Sequence, residues 1–496
     1  MCTMTTHTKS ITIIAHQLPL CPPLPRIIGP VEFDEFRALW ARLDAMLTAG
    51  VERQFVLRSL EYHQTTRTRG MTLAEQVRFQ TESQQALRCT LARLLLSESL
   101  RDFSCHLAES ALLQRFCLQG DLEAVYVPGR SQLQRYATWL PDEEMRAVVI
   151  YLTGQARAPS APTTLGVAHA VDLATVWVDT TCAETHIHYP VDWVLLRDAT
   201  RTLIQAIIVL REHALKHRMP EPTTFLRDVN QLCIKMTHAG KGEKGQQQRK
   251  AILREMKALV QTVQGHAERY RALVDTLAAP QGWAIAARRR MQEVLEQLPT
   301  VLHQAHERLI GERPVATAAK VLSLYEPDTA VLSRGKSGAQ VEYGYSLFLA
   351  EQQDGLIVDW ALPQTPQPDG DLLCAGITRW QTAYGAEAIR TVVTDRGFDG
   401  PVTRAALAHA GIANGMCPRS PRQLVARLAE PVFREQQRRR AQTEGRIAIV
   451  KQTFLGGRLH TKGYAHQSTE MAWVVLAHNL WVLARLPVAN KQKLAA

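Results

Sequence analysis

Two short apolar runs ending in aspartate, Ala174-Thr-Val-Trp-Val-Asp179 and Ile389-Arg-Thr-Val-Val-Thr-Asp395, constrain this chain most. Each reads as a buried strand that delivers a carboxylate to the C-terminal edge of a sheet, where open α/β sheets place their sites. Between them, residues 193–312 carry no strand signal. Leu195, Leu196, Thr200, Leu203 and Ile207 form one helical stripe there. Ala251–Leu277 and Ala284–Ile310 read as two long charged helices able to pack antiparallel. Any fold for this chain must therefore interrupt a sheet with an all-helical block.

Downstream of the second strand, Arg440, Glu444 and Lys451 fall on one face of a helix expected over 434–454. At about 100° per residue, Arg440 sits about 40° and Lys451 about 20° from Glu444. A carboxylate held between two cations suits a metal ion and the phosphate it activates. Two strand aspartates followed by a helix glutamate point to phosphoryl transfer. Strand character returns at Val321. Val341, Tyr343, Tyr345, Leu347 and Leu349 mostly alternate with polar or small residues, and Gln353-Asp-Gly355 turns the chain into Leu356-Ile-Val358, an antiparallel hairpin. Helices are expected over 372–384, 401–409 and 469–486.

This order describes an α/β mixed fold. A ribonuclease-H-like catalytic domain (172–192 and 313–486) is interrupted by an all-α insertion (193–312) and preceded by a mainly helical domain (31–155) expected to bind DNA ends. A Pro-rich arm (1–30), a linker (156–171, containing ARAPSAPTTLGV) and a tail (487–496) complete the division. The chain is long enough for about three domains at about 100–200 residues each. In the helical N-terminal region, Arg130, Gln132, Gln134 and Arg135 are candidates for a helix-turn-helix face. Ser99–Leu118 reads as one helix beside it.

The formal net charge of +11 favours a polyanionic partner. Nine scattered cysteines without a C-x-x-C pair indicate neither a zinc site nor a disulfide framework, which fits a reducing cytoplasm. Met471–Leu486 is interrupted by His478, Asn479 and Arg485, so it reads as a buried helix; no membrane partner is expected. The run His238-Ala-Gly-Lys-Gly-Glu-Lys-Gly245, continuing to Arg249 and Lys250, is either a solvated loop or a phosphate-backbone contact. Two long helices would carry Lys241, Lys244, Arg249 and Lys250 well away from the sheet. Asp172, Asp192 and Asp198 compete for the first acid position, but Asp179 ends the apolar strand. His186 and His188 have metal-pair spacing without a third ligand nearby, and Asp399 reads as a helix cap.

Arg440-x3-Glu444-x6-Lys451 resembles most of the Y-x2-R-x3-E-x6-K signature of bacterial insertion-sequence transposases of the DDE class. Asp179-Thr-Thr, His188-Tyr-Pro-Val-Asp192, Lys336-Ser-Gly338 within 328–342, and Thr394-Asp-Arg-Gly-Phe398 resemble the same group, most closely its loosely classified members with a helical insertion. The resemblance spans roughly 170–485. It departs at Gln437, where the family has a DNA-contacting tyrosine.

The resemblance implies a transposase that binds the double-stranded ends of its own element, hydrolyses phosphodiester bonds and joins strands to target DNA. Two Mg²⁺ ions, with Mn²⁺ as a substitute, would activate the attacking oxygen and stabilise the leaving one. Asp179 would bridge both ions, and Asp395 and Glu444 would hold one each. Lys451 would clamp substrate phosphate, and Arg440 would touch DNA or neutralise Glu444. A homodimer on DNA and a bacterial, nucleoid-associated cytoplasmic location are implied. The rival readings are another ribonuclease-H-like nuclease or resolvase, and an inactive DNA-binding descendant.

Overall fold

The computed structural model describes residues 13–15, 21–63, 70–240, 242–333 and 341–488. Arg67, Arg69, Lys241, Lys336-Ser-Gly338, the start of the proline-rich arm and the end of the tail lie outside them. Two compact units divide the chain: Met1–Glu184 with Tyr345–Ala496, and Thr185–Gly344.

In the first unit, α1 (Val31–Met46), α2 (Glu52–His63) and α3 (Leu73–Leu95) lead into α4 (Leu100–Glu109) and α5 (Ala111–Phe116). A capping box starts α3: the Thr72 hydroxyl accepts from Glu75 N, and the Glu75 carboxylate accepts from Thr72 N. The single helix expected over 99–118 is two. Ser110 takes an extended backbone and caps the second by accepting from Leu113 N, which ends the first.

Then come α6 (Arg130–Ala137), α7 (Asp142–Arg157) and α8 (Ala161–Thr164). Residues 117–129 separate α5 from α6 and contain the bridge Gly120↔Val125, so these two helices do not make the three- to four-residue turn of a helix-turn-helix. Residues 156–171 are not the linker their Pro, Ser and Gly content predicts. Most of the segment is folded, and Ala156, Ala161, Leu165, Val167 and Val171 are buried in the core.

β1 (Thr175–Glu184) follows, and the second unit begins at its end. That unit holds α9 (Asp192–Glu212), α10 (Pro222–His238), α11 (Glu243–Asp275) and α12 (Gly282–Leu309) around a separate core that includes Leu196, Ile207, Met256, Tyr270 and Leu298. The two long helices run antiparallel, as their stripes predict: Lys250 near the start of α11 pairs with Glu312 just past α12, and Asp275 at the end of α11 pairs with Arg288 near the start of α12. Asp192, a competitor for the first acid position, is buried and accepts from Gln304 (2.7 Å) and Arg308 (3.0 Å).

Strand β2 (Ala330–Ser333) pairs antiparallel with the first residues of β3 (Val341–Gln352), which continues into the first unit. The turn at Gly355, whose φ of 94° favours glycine, leads into β4 (Ile357–Ala361), antiparallel to β3 as the alternation predicts. Then come α13 (Asp369–Tyr384), β5 (Thr391–Thr394), α14 (Pro401–His409), β6 (Ala413–Asn414), α15 (Pro421–Leu428), α16 (Pro431–Ile449) and α17 (Tyr464–Leu483). The sheet order is β2-β3-β1-β5-β6, with β4 also on β3. β5 is parallel to both β1 and β6, whereas β2 and β4 run antiparallel to β3, so the sheet is mixed.

The most apolar helix, α17, packs among α3, α7 and the sheet, with Met471, Trp473, Val475 and Leu480 buried. Its buried Asn479 receives Ile357 N and donates to Ile357 O, so the polar side chain closes the edge of β4. Among the described residues no helix is long and apolar enough to cross a membrane. The N-terminal helices are tied to the same unit by Arg42, which donates to Leu486 O, and by Arg146, which bonds Asp359 at 2.8 Å and lies over Trp360.

Candidate active site

Parallel pairing brings the two strand aspartates together. The last register pair of β1 and β5 is Val178↔Thr394, so Asp179 and Asp395 are the next residue on each. Asp179 does not end its strand, as its apolar run suggests, but lies midway along it. β1 continues to Glu184, because β3 flanks it beyond the reach of β5. Asp395 Oδ1 accepts from Gly397 N at 2.8 Å, which turns the chain sharply after β5.

Helix α16 supplies the third acid. Trp177 Nε1 donates to Gln436 O at 3.0 Å, and Arg439 stacks over the Trp177 ring, so α16 is fastened along β1. A second stripe of the helix holds it to β3: Arg439, Thr443 and Arg446 all reach the buried carboxylate of Glu351. The adjacent stripe carries Arg440 and Glu444, which form an ion pair at 3.6 Å, with Glu444 65% exposed.

Burial raises the Asp179 carboxyl to about 6. The Thr180 N–H bonded to it works against that rise, the charge of Asp395 adds to it, Arg440 opposes it and Glu444 adds again. Asp395, Arg440 and Glu444 thus all act on the buried Asp179 carboxyl.

Lys451 does not join them. The helix widens into a π-helical turn over Val450–Phe454, and the Lys451 ammonium faces Glu184 at 3.8 Å. Glu444 is therefore flanked by Arg440 rather than held between two cations. Gln437, where the family tyrosine is missing, donates to Gly415 O at 2.7 Å and so braces the chain beyond β6.

The remaining DNA-contact candidates lie apart from the acids in the chain. Arg130 and Arg135 are exposed on α6. In the second unit, Lys244 is exposed in the first turn of α11, Arg249 donates to Ala239 O, and Lys250 pairs with Glu312. The stretch read as a long basic loop is mostly helix from Glu243 onward. Its position beside Glu312 is the end of the bundle where α12 finishes.

Asp399 is not the cap of α14. It bonds Arg404 in a two-point ion pair and accepts from Arg419 N, and these contacts lower its carboxyl below the usual range, with Arg404 contributing most.

One acid went unread in the sequence. Asp369, the first residue of α13, accepts from the Thr180 hydroxyl at 2.9 Å, beside Asp179. A Cβ on Gly397 would meet Asp395 Oδ1 at 3.0 Å and Asp369 Oδ2 at 3.3 Å, so this glycine leaves space between two carboxylates. The available signal was a first-turn aspartate after Pro368, ahead of the helical periodicity.

The acid set offers only oxygen donors, which is the chemistry Mg²⁺ prefers, and the charges of Asp395 and Glu444 both raise the Asp179 carboxyl. Among the described residues, however, no three His, Cys, Asp or Glu side chains stand close enough to hold an ion as they lie, and His186 and His188 join no such group. No curated protein and no solved structure matches the chain. Residues 329–480, which include Asp395, Glu444 and Lys451 but not Asp179, match the family model described as the transposase DDE domain, and this supports an insertion-sequence DDE transposase.

Proposed function

We propose that this chain binds the double-stranded ends of its own insertion sequence, hydrolyses phosphodiester bonds there and joins the freed strand to target DNA. The observation that supports the reading is that Asp179 and Asp395 follow the last register pair of two parallel strands, with Glu444 also acting on the Asp179 carboxyl and with Asp395 and Glu444 inside the transposase match. The strand order, with β5 and β6 parallel to β1 and β3 bearing antiparallel partners, supports a ribonuclease-H-like frame interrupted after β1 by α9–α12.

Asp179, Asp395 and Glu444 would hold the divalent ions, Mg²⁺ or Mn²⁺ in its place. Such ions supply charge stabilisation at the attacking and leaving oxygens of an in-line displacement. The protein's own contributions are positional. The parallel register aligns the two aspartates, Glu351 and Trp177 fix the roll of α16, and Arg440 holds the glutamate until substrate or ion competes for it. Cationic side chains spread over both units supply DNA affinity without sequence information. A homodimer on DNA, expected for enzymes that pair two ends, belongs to this reading.

Asp179→Ala, Asp395→Ala and Glu444→Ala are each expected to abolish Mg²⁺-dependent cleavage of end-bearing DNA while leaving end binding largely intact. Near wild-type cleavage by any one variant removes that residue from the site. The engagement of Glu444 with Arg440 favours the second reading, an inactive DNA-binding descendant. Failure of the wild type to cleave while still binding ends would establish that alternative.

A further inference from the structure

We infer that His217, His266 and Arg269 form an anion site for a phosphate group at one end of the helical second unit. His266 and Arg269 lie on α11, and His217 lies in the segment between α9 and α10. His266 stands about 24 Å along α11 from Lys250 at 1.5 Å per residue, so the cluster is at the opposite end of the bundle from the Lys250–Glu312 pair. His266 is 8% exposed, and its Nδ1 meets no hydrogen-bond partner. Its ring lies 5.9 Å from that of His217 and 5.9 Å from that of Phe225. Arg269 Nη1 stands 3.2 Å from His217 Nε2.

The cluster is built before any ligand arrives. The buried Tyr270 hydroxyl accepts from His217 N at 3.2 Å and donates to His217 O at 3.4 Å, which fixes the segment after α9 against α11. A guanidinium can only donate, so a neutral His217 accepts from Arg269. A protonated His217 instead sets two donors face to face, and an oxyanion between them accepts from both. Burial, then the positive charges of Arg269 and His217, lower the His266 imidazole below its ordinary value. Lys216 and Arg218, on either side of His217, are exposed. The acids of these segments, Glu212, Glu221 and Glu268, are exposed too, and Glu268 accepts from Gln264 at 3.0 Å.

Three nitrogen-bearing side chains with a guanidinium among them suit an anion rather than a metal ion, because Arg269 repels any cation held between the two rings. A phosphate oxygen is the acceptor that such donors take. Its charge favours the protonated form of both imidazoles. Binding therefore takes up protons and strengthens as pH falls through about 6.5, the ordinary histidine value. The DNA backbone and free phosphate share this chemistry. DNA is the source that accords with the proposed function, and only that choice of source rests on it.

The test uses the full chain. Binding of a labelled duplex is measured by anisotropy at about pH 6 and about pH 8 and equal ionic strength, a range that spans histidine protonation. The wild type is expected to bind severalfold tighter at the lower pH, and His266→Phe and Arg269→Gln are each expected to lose most of that ratio. His266→Phe keeps a ring beside Phe225, and Arg269 is exposed, so both variants are expected to fold. The melting temperature in inorganic phosphate, against chloride at equal ionic strength and the lower pH, is the second measurement. A phosphate-specific rise that both variants lose, with an unchanged duplex ratio, keeps the site and assigns it free phosphate. If either variant keeps both the wild-type duplex ratio and the wild-type melting response, the inference is overturned. Absence of cleavage bears on the transposase reading alone.

Discussion

Arg439 donates to Glu351 at 2.9 Å, joining the helix that carries the third acid to the strand beside the first. Thr443 at 2.8 Å and Arg446 at 3.3 Å close on the same carboxylate, which is almost fully buried. A buried charge with three partners fixes the roll of a helix more tightly than apolar contact alone, because each alternative register strands a charge.

Glu351→Ala is therefore expected to destabilise the first unit by about 3–5 kcal/mol, the usual cost of leaving buried charged partners unmatched. Denaturant titration checks the value. A loss below about 1 kcal/mol would mean that Arg439 and Arg446 find water or other acceptors.

Asp369→Asn keeps the hydrogen bond from Thr180 but removes a negative charge beside Asp179 and Asp395. Cleavage is expected to require a higher Mg²⁺ concentration, with the maximal rate largely retained. An unchanged Mg²⁺ dependence would reduce Asp369 to a helix-start residue.

Gln437→Ala leaves Gly415 O without its side-chain donor. We expect a loss of about 1 kcal/mol in stability, typical of one hydrogen bond, and no change in the salt dependence of DNA binding. A shallower salt slope would give position 437 the DNA contact that the family tyrosine makes.

His478 is fully buried, and burial, helped by the charge of Arg446, pushes its imidazole down to about 3. Its ring meets Phe454 edge-on, and its Nε2 has no hydrogen-bond partner. The folded state therefore refuses a proton that the unfolded chain accepts near its ordinary value of about 6.5. The stability involved is fully present above about 6.5 and is lost as pH falls toward 3. His478→Phe, which keeps the ring contacts, is expected to flatten the fall in melting temperature between pH 6.5 and 4.5. An identical pH profile in the variant would assign the acid loss to other groups.

The sequence by itself determined the local elements and their order. Alternation from Val341 to Leu349 with the turn at Gly355 gave the β3–β4 hairpin, and apolar stripes gave the antiparallel α11 and α12. The β-branched runs before Asp179 and Asp395 marked the two strands that pair in parallel, β1 and β5. These are short-range signals: a period of two or 3.6 residues states which face is buried, whatever lies opposite.

What lies opposite was decided only by the tertiary structure. Arg440, Glu444 and Lys451 share a face by arithmetic, yet a π-helical turn and the position of Glu184 drew Lys451 away from the acids. Glu351 collects Arg439, Thr443 and Arg446 across about ninety residues of chain, and Asp369 meets Thr180 across still more. The segment 156–171 looked like a linker because Pro, Ser and Gly are common in loops; burial of its few apolar side chains folded it. Charged partners separated this far in sequence have no periodicity to betray them. Only the packing that removes them from water selects which of many possible pairs must form.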